Sequence, residues 1–257
     1  MKIAHISDLH FGCVIDWVRD ELRHTIEEAG VDLVIASGDI TQSATVEEFT
    51  QARDWLHGLT APVFVVPGNH DLPGMDLTRF LTPWKRYREY LGDDLEPEMR
   101  FDLVHVKGIN TARRILPHWN WANGMISQRQ CREVGRSFET ATAPWRIFVM
   151  HHPVMNSRDF PLDVSLFNAN CMLAVLAEHK VDLVLAGHQH HAYIENRVVN
   201  GHTTLFLNAS TAMSARIRRQ PNGFNMLTFN EKSVRIDRME LCDKVFRTFS
   251  AETHTKA

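Results

Sequence analysis

Short apolar runs alternate along the chain with stretches in which apolar residues recur every three or four positions. Between residues 17 and 29, Val18, Leu22, Ile26 and Ala29 stand at spacings of four, four and three, which lines one face of a helix that Gly30 closes. VDLVIAS (31–37) is then almost continuously apolar, as expected of a strand buried on both faces. A second helix carries Phe49, Ala52, Leu56 and Leu59 on one side, and PVFVVP (62–67) is again strand-like. The second half repeats the theme with WRIFVM (145–150), a helix over about 169–180 and VDLVLA (181–186). Strand alternating with helix predicts parallel β-α-β units. VDLVIASGD and VDLVLAGHQ read as one structural solution used twice.

After Tyr193 the pattern changes to alternating strands. GFNMLTF and SVRIDRME flank an Asn230-Glu231-Lys232 turn and predict an antiparallel hairpin that helps to build a second sheet. Residues 1–249 are expected to form one domain. Residues 250–257 (SAETHTKA) lack apolar anchors and are expected to fray. HWNWANG (118–124) reads as a loop whose His118, Trp119 and Trp121 either cover a ligand or pack on a surface helix.

Composition narrows the class. With 257 residues and 44% hydrophobic content the chain can bury a sizeable core. No apolar span reaches 18 residues, and Met1 runs directly into a strand, so a cytoplasmic protein without a membrane segment is expected. A net charge of −3 does not suit a protein that coats nucleic acid through a broad basic face. The small basic clusters at residues 215–219 (ARIRR) and at Arg113-Arg114 are expected to be solvated. Cys13, Cys131, Cys171 and Cys242 lack paired spacing and are expected to be buried reduced thiols.

The residues that carry chemistry cluster at the ends of the apolar runs. Asp8 and His10, Asp39, Asn69, His151, and His188 with His190 all stand just past a predicted strand. The carboxyl ends of strands in α/β sheets gather along one rim, where ligands bind. Gly38, Gly68 and Gly187 immediately precede three of these groups, where a sharp turn or a close approach favours glycine. In Asp8-Leu9-His10 an extended backbone would send both side chains to one side, within reach of one cation. Carboxylate, imidazole and amide donors without thiolate suit Mn, Fe or Zn better than Ca or Mg. The donors are too many for one ion and suit two that share a carboxylate, at a separation of about 3.5–4 Å.

In order and approximate spacing, SDLH, GDI, GNHD, MHHP and GHQH resemble the calcineurin-like metallophosphoesterase superfamily, over residues 8–190. The resemblance implies a four-layer α/β/β/α sandwich of two mixed sheets flanked by helices. It implies that Asp8, His10, Asp39 and His190 hold one transition metal ion and that Asp39, Asn69, His151 and His188 hold the other, with Asp39 shared. His152 is then structural or supports a ligand, and His191 lies at the pocket edge or on the surface. His70 would contact the phosphate or protonate the leaving oxygen. Asp71 would orient the His70 ring or serve as a cap or turn residue. The implied reaction is phosphoester hydrolysis by a hydroxide shared between two divalent or mixed-valence ions.

GDITQS lacks the arginine of the protein serine/threonine phosphatase signature GDxxDRG, and GNHD differs from the GNRD of lipid A pathway hydrolases. The chain is most similar to compact class III cyclic nucleotide and glycerophosphodiester phosphodiesterases, which implies a small-molecule phosphodiester substrate. A broader phosphodiesterase or phosphomonoesterase acting on another small or lipid phosphate is the alternative. A non-catalytic scaffold is disfavoured because every ligand position is filled. Oligomeric state stays open.

Overall fold

The computed structural model describes residues 1–74, 77–116, 120, 122–155 and 166–256. In chain order the first half contains β1 (Lys2–Ile6), α1 (Asp16–Ala29), β2 (Leu33–Ala36), α2 (Val46–His57), β3 (Val63–Val65), α3 (Leu77–Leu81), α4 (Lys85–Leu91), β4 (Glu98–Arg100) and β5 (Val104–Gly108). The second half begins with β6 (Gly124–Met125), α5 (Gln128–Glu139), β7 (Trp145–Val149), β8 (Leu166–Phe167), α6 (Ala169–Glu178) and β9 (Leu183–Ala186). The last five strands are β10 (Tyr193–Val199), β11 (His202–Asn208), β12 (Gly223–Phe229), β13 (Ser233–Cys242) and β14 (Val245–Thr255).

Two six-stranded mixed sheets result, in the orders β14-β13-β12-β1-β2-β3 and β10-β11-β9-β7-β5-β4. In the first, β1, β2 and β3 are parallel and β12 to β14 antiparallel. In the second, β5, β7, β9 and β11 are parallel and the edges antiparallel. The two similar apolar runs become β2 and β9, each between parallel neighbours and each fully buried.

Side-chain alternation explains the layering, because successive residues of a strand face opposite sides of the sheet. Ile3, Leu33, Ile35 and Phe64 of the first sheet meet Val106, Ile147, Leu183 and Leu185 of the second between the sheets. Ala4, Ile6, Val34 and Ala36 face the other way, onto Val18, Leu22 and Ile26 of α1 and Ala52 and Leu56 of α2. Phe148 and Val184 likewise meet Val134 and Phe138 of α5 and Met172 and Leu176 of α6. The architecture is the expected α/β/β/α sandwich. Each large side chain buried this way contributes about 1.5–3 kcal/mol of transfer free energy.

Helix ends obey local signals. Gly30 takes the left-handed conformation (φ 58°) at the end of α1. Capping boxes start α2, with Thr45 and Glu48, and α5, with Ser127 and Gln130.

Four expectations need correction. Residues 250–255 are not frayed: they form the second half of β14, paired with β13 from Ser233↔Thr255 to Arg238↔Ser250. Main-chain hydrogen bonds hold this segment without apolar anchors, and Lys256 adds an ion pair to Asp182 at 2.8 Å. The cysteines are not four separate thiols, since Cys131 of α5 and Cys171 of α6 form a disulfide across Cα atoms 6.5 Å apart. They are 40 residues apart in sequence and meet only because the two helices pack together. Cys13 is half-buried and Cys242 exposed, rather than buried. Arg113 is half-buried, donating to the carbonyls of Asn110 and Ala112 and to Gln130, whereas Arg114 is exposed as expected and donates to the Phe80 carbonyl. Trp119, Trp121 and His118 lie outside the described residues. No helix among the described residues is long and apolar enough to cross a membrane.

Candidate metal centre

The carboxyl ends of β1, β2 and β3 in one sheet face those of β7 and β9 in the other. Main-chain pairing continues past the strands and draws the ends together: Asp8 N–H donates to the Gly38 carbonyl and His10 N–H to that of Asp39. Across the sheets, His188 N–H donates to Asp8 Oδ2 at 3.0 Å, and within the second sheet Gly187 N–H donates to the His151 carbonyl at 3.1 Å. Asp8, His10, Asp39, Asn69, His151, His152, His188 and His190 are all buried as a result.

Two clusters of potential ligand atoms emerge, Asp8, His10, Asp39 and His190 in one and His151, His152 and His188 in the other. Asp39 lies between them through a single oxygen: Oδ2 stands 3.2 Å from His151 Nε2 and 3.9 Å from His10 Nε2. Its Oδ1 accepts from His70 N–H at 2.8 Å. Both clusters thus approach the same oxygen of Asp39.

Backbone conformation is the unusual feature. Asp8, His10, Asp39, His188 and His190 have φ of 54°, 48°, 50°, 70° and 54°. The left-handed region costs roughly 1–3 kcal/mol per non-glycine residue, and such outliers gather at functional sites. The i, i+2 pair at Asp8 and His10 converges, with Asp8 Oδ1 3.8 Å from His10 Nε2, but through left-handed rather than extended backbone. Glycines give way to ligands: a Cβ on Gly38 (φ 94°) would meet His151 Nδ1 at 2.6 Å, and one on Gly68 would meet Asp39 Cγ at 2.9 Å.

The histidine tautomers show what the centre lacks internally. His151 Nδ1 lies 2.8 Å from the Ser37 carbonyl and His190 Nδ1 2.5 Å from the Arg216 carbonyl. A carbonyl only accepts, so each Nδ1 carries a hydrogen, and in the neutral ring Nε2 then presents a lone pair. Those lone pairs face carboxylates, His151 Nε2 towards Asp39 Oδ2 and His190 Nε2 towards Asp8 Oδ1, both at 3.2 Å. Acceptor facing acceptor is repulsive unless a cation lies between. Asp8 Oδ1, Asn69 Oδ1 and His152 Nε2 are also buried without a hydrogen-bond partner. The donors thus fit the expected metal ions, since buried orphaned acceptors are costly otherwise.

The electrostatics agree. Burial disfavours protonation of His151, yet Asp39 and Asp8 push it up to about 9, so the proton is the cation the bare site attracts. Burial opposes charge on Asp39, but His151, His70 and His10 hold its carboxyl well below the usual range. Burial moves His10 and His188 well below the usual imidazole value, adjacent imidazoles adding to the effect, and a neutral imidazole is the form that binds metal.

Around the clusters, His152 Nδ1 is 2.7 Å from Thr111 Oγ1, and its ring centroid is 4.5 Å from that of His188. His191 is half-buried. Asp71 does not orient the His70 ring. Its carboxylate accepts from the main-chain N–H groups of Ile40, Thr41 and Gly68 and from the Thr41 hydroxyl, tying the turns after β2 and β3 together. Burial and the charge on Asp39 push its carboxyl up to about 7. The His70 ring is instead held by the Gln42 carbonyl, 2.7 Å from Nδ1.

Sequence reasoning missed Arg216, whose Nη1 lies 3.0 Å from His70 Nε2 and 2.9 Å from Gln42 Oε1. It sits in the basic cluster expected to be solvated, and Ala215, Ile217, Arg218 and Arg219 are indeed exposed. A cavity of about 550 Å³ lined by Trp145, Asp182, His202 and Lys256 opens at the opposite ends of β7 and β9, far along the strands from the clusters.

The fold and the buried ligand set define a phosphoesterase of the metal-dependent kind, and sequence comparison agrees. The calcineurin-like phosphoesterase family model matches residues 1–192, and the chain belongs to that family. It is 24% identical over 237 residues to a protein of Synechococcus sp. named as a probable cyclic nucleotide phosphodiesterase, covering 88% of this chain and 87% of the relative. It is 28% identical over 214 residues to the glycerophosphodiester phosphodiesterase GpdQ of Enterobacter lignolyticus, covering 74% and 71% of the two chains. In structure it is similar to a purple acid phosphatase from yellow lupin (Lupinus luteus), with TM-score 0.71 and 13% identity over 99% of this chain and 53% of the other. The protein is a phosphoric ester hydrolase.

Proposed function

We propose that the protein is a dinuclear phosphodiesterase that hydrolyses a small phosphodiester of the cyclic nucleotide or glycerophosphodiester type. The observation that carries this reading is Asp39 Oδ2 between two buried clusters of carboxylates and imidazoles, with Asp8 Oδ1 and Asn69 Oδ1 left without a hydrogen-bond partner among the described residues. One ion would be held by Asp8, His10, Asp39 and His190, the other by Asp39, Asn69, His151 and His188. His152 packs beside the second set as a supporting residue. When bound, the two ions supply a nucleophilic water near neutral pH and polarise the phosphoryl group for in-line attack.

The chain's own groups do the rest. The Ser37 and Arg216 carbonyls fix the tautomers of His151 and His190, and Asp8 Oδ2 is locked by His188 N–H. Asp71 keeps the turns that carry Asp39 and Asn69 in register, a positioning rather than a catalytic role. His70 stands beside His10, ring centroids 5.0 Å apart. Relatives named as cyclic nucleotide and glycerophosphodiester phosphodiesterases support the substrate class.

Matched kinetics of the Mn-loaded protein on bis(p-nitrophenyl) phosphate, p-nitrophenyl phosphate and 3′,5′-cyclic AMP test the reading. The expected result is a higher kcat/KM on the diester than on the monoester. A clear monoester preference overturns the diesterase assignment.

A further inference from the structure

We propose that Arg216 is the cation that binds the phosphoryl group of the substrate, and that His70 serves it as a holder by accepting its hydrogen bond. This rests on the phosphoesterase reading of the site and adds a residue to it.

The assignment comes from donor and acceptor chemistry. His70 Nδ1 faces the Gln42 carbonyl at 2.7 Å and must donate there. A guanidinium only donates, so His70 Nε2, 3.0 Å from Arg216 Nη1, must accept. In this arrangement Nε2 carries no proton to offer a phosphate or a leaving oxygen. What the ring does offer is a seat for Arg216, and Gln42 Oε1 provides a second one at 2.9 Å on the same Nη1. The Arg216 Nη2 and Nε donors take no part in either contact. A guanidinium presents its donors in a planar fork that matches the oxygens of a phosphoryl group.

The segment carrying Arg216 is built to hold it still. Residues 209–222 connect β11 of one sheet to β12 of the other and pass over the first cluster. Their main chain is tied by Ala212 N–H to the Ser7 carbonyl, by Ala215 N–H to that of Cys13, and by Met213 O to Ile15 N–H. Buried Asn222 donates to the carbonyls of Thr211 and Ser214. The Arg216 carbonyl holds His190, while its side chain reaches His70. One residue thus spans His190 of the first cluster and the His70 ring. Arg216 is half-buried where Arg218 and Arg219 of the same cluster are exposed.

The experiment compares the metal-loaded wild-type protein with Arg216→Met, Arg216→Lys and Arg218→Met. Three quantities are measured: metal content, binding of inorganic phosphate by calorimetry, and KM and kcat on bis(p-nitrophenyl) phosphate. Arg216→Met is expected to keep both metals and to weaken phosphate binding and raise KM by about 10- to 100-fold, the usual range for loss of a hydrogen bond to a charged group. Arg216→Lys should fall between, and Arg218→Met should match wild type. A double variant of His70→Ala with Arg216→Met should bind phosphate no worse than Arg216→Met alone. Unchanged phosphate binding in Arg216→Met overturns the proposal, as does an equal effect from Arg218→Met. If Arg216→Met sheds metal, the Lys variant decides, and unchanged phosphate binding there overturns the proposal equally. A wild-type protein that neither binds phosphate nor cleaves esters removes the functional reading and the inference with it. Wild-type activity with an indifferent Arg216 removes the inference alone.

Discussion

His151 and His190 are presented to the centre by the same device on different supports. In each, Nδ1 donates to a main-chain carbonyl and Nε2 is aimed inward. For His151 the carbonyl belongs to Ser37, at the end of the central strand β2, and the Ser37 hydroxyl is itself paired with buried His5 of β1 at 2.9 Å. For His190 it belongs to Arg216, on a connection between sheets. The second cluster is thus braced by the sheet core, whereas the first borrows a support that also reaches substrate. If Arg216 binds the phosphoryl group as proposed, coupling between substrate binding and metal retention is expected at the first cluster. The donors differ too: two carboxylates and two imidazoles on one side, three imidazoles on the other. Softer, nitrogen-rich sets favour later first-row ions, so the two positions should differ in metal preference.

The harshest way to break the comparison is to remove what both clusters share. Asp39→Ala should lose both ions together, with turnover falling by at least about 10³-fold, the scale of a major electrostatic contribution to catalysis. Metal analysis after gel filtration reads this directly. Two ions per chain retained in Asp39→Ala would sink the shared-ligand assignment.

Separating the clusters comes next. His151→Ala and Asn69→Ala should each empty mainly the second position, while His152→Ala should keep both ions and lose only about 10- to 100-fold in affinity there, as for a supporting residue. Titration with Mn or Zn under competition distinguishes them. If His152→Ala empties the position and His151→Ala does not, the roles of the paired histidines are exchanged.

Much of this architecture is legible in local pattern. The repeated VDLV runs read directly as the buried central strands β2 and β9 because burial on both faces leaves no room for polar alternation. The ligands are legible because each stands just past such a run. What sequence conceals depends on packing between distant segments. Nothing in ARIRR marks Arg216 as different from Arg218, since only the sheet-to-sheet connection turns it inward. Of the two roles the sequence leaves open for Asp71, the structure shows the turn residue, and sequence could not choose because two of its partners, the N–H groups of Ile40 and Thr41, lie about thirty residues away. Helix α5 does carry a local signal that the reading of the apolar runs passes over: Ser127 and Gln130 form a capping box, and Cys131, Val134 and Phe138 come after it at helical spacing. The second half of β14 carries none, because only its first half packs on the core, through Phe246, and the rest is held by main-chain bonds.

The difference in support can be sharpened at Asn222, whose amide ties the connection carrying Arg216. Asn222→Ala should lower affinity for the first ion by about 10- to 100-fold, the range for removing a group that orients a ligand, and leave the second unchanged. Equal weakening of both would show that the connection supports the whole centre.

The smallest expected effect tests the core brace. His5 is fully buried, with Nε2 on the Ser37 hydroxyl and Nδ1 accepting from Asn225, and burial pushes it down to about 3. The unfolded chain binds a proton at this imidazole near pH 6.5, whereas the native state resists protonation until about pH 3. Below pH 6.5 the unfolded state therefore holds more protons at this position, and stability falls as pH falls. The contribution is fully present above the unfolded value and declines continuously down to the native one. At pH 5.5 the loss from His5 alone is about 1.4 kcal/mol relative to pH 7.5. Other buried histidines titrate in the same window, so the measurement is the difference between wild type and His5→Gln in urea unfolding at the two pH values. His5→Gln should be less stable at pH 7.5, having lost a fitted hydrogen-bonding ring, yet it should lose about 1.4 kcal/mol less on acidification. Identical pH dependence in the two proteins would mean that His5 is protonated in the native state, and that the Ser37 carbonyl is held beside a charge rather than by a neutral brace.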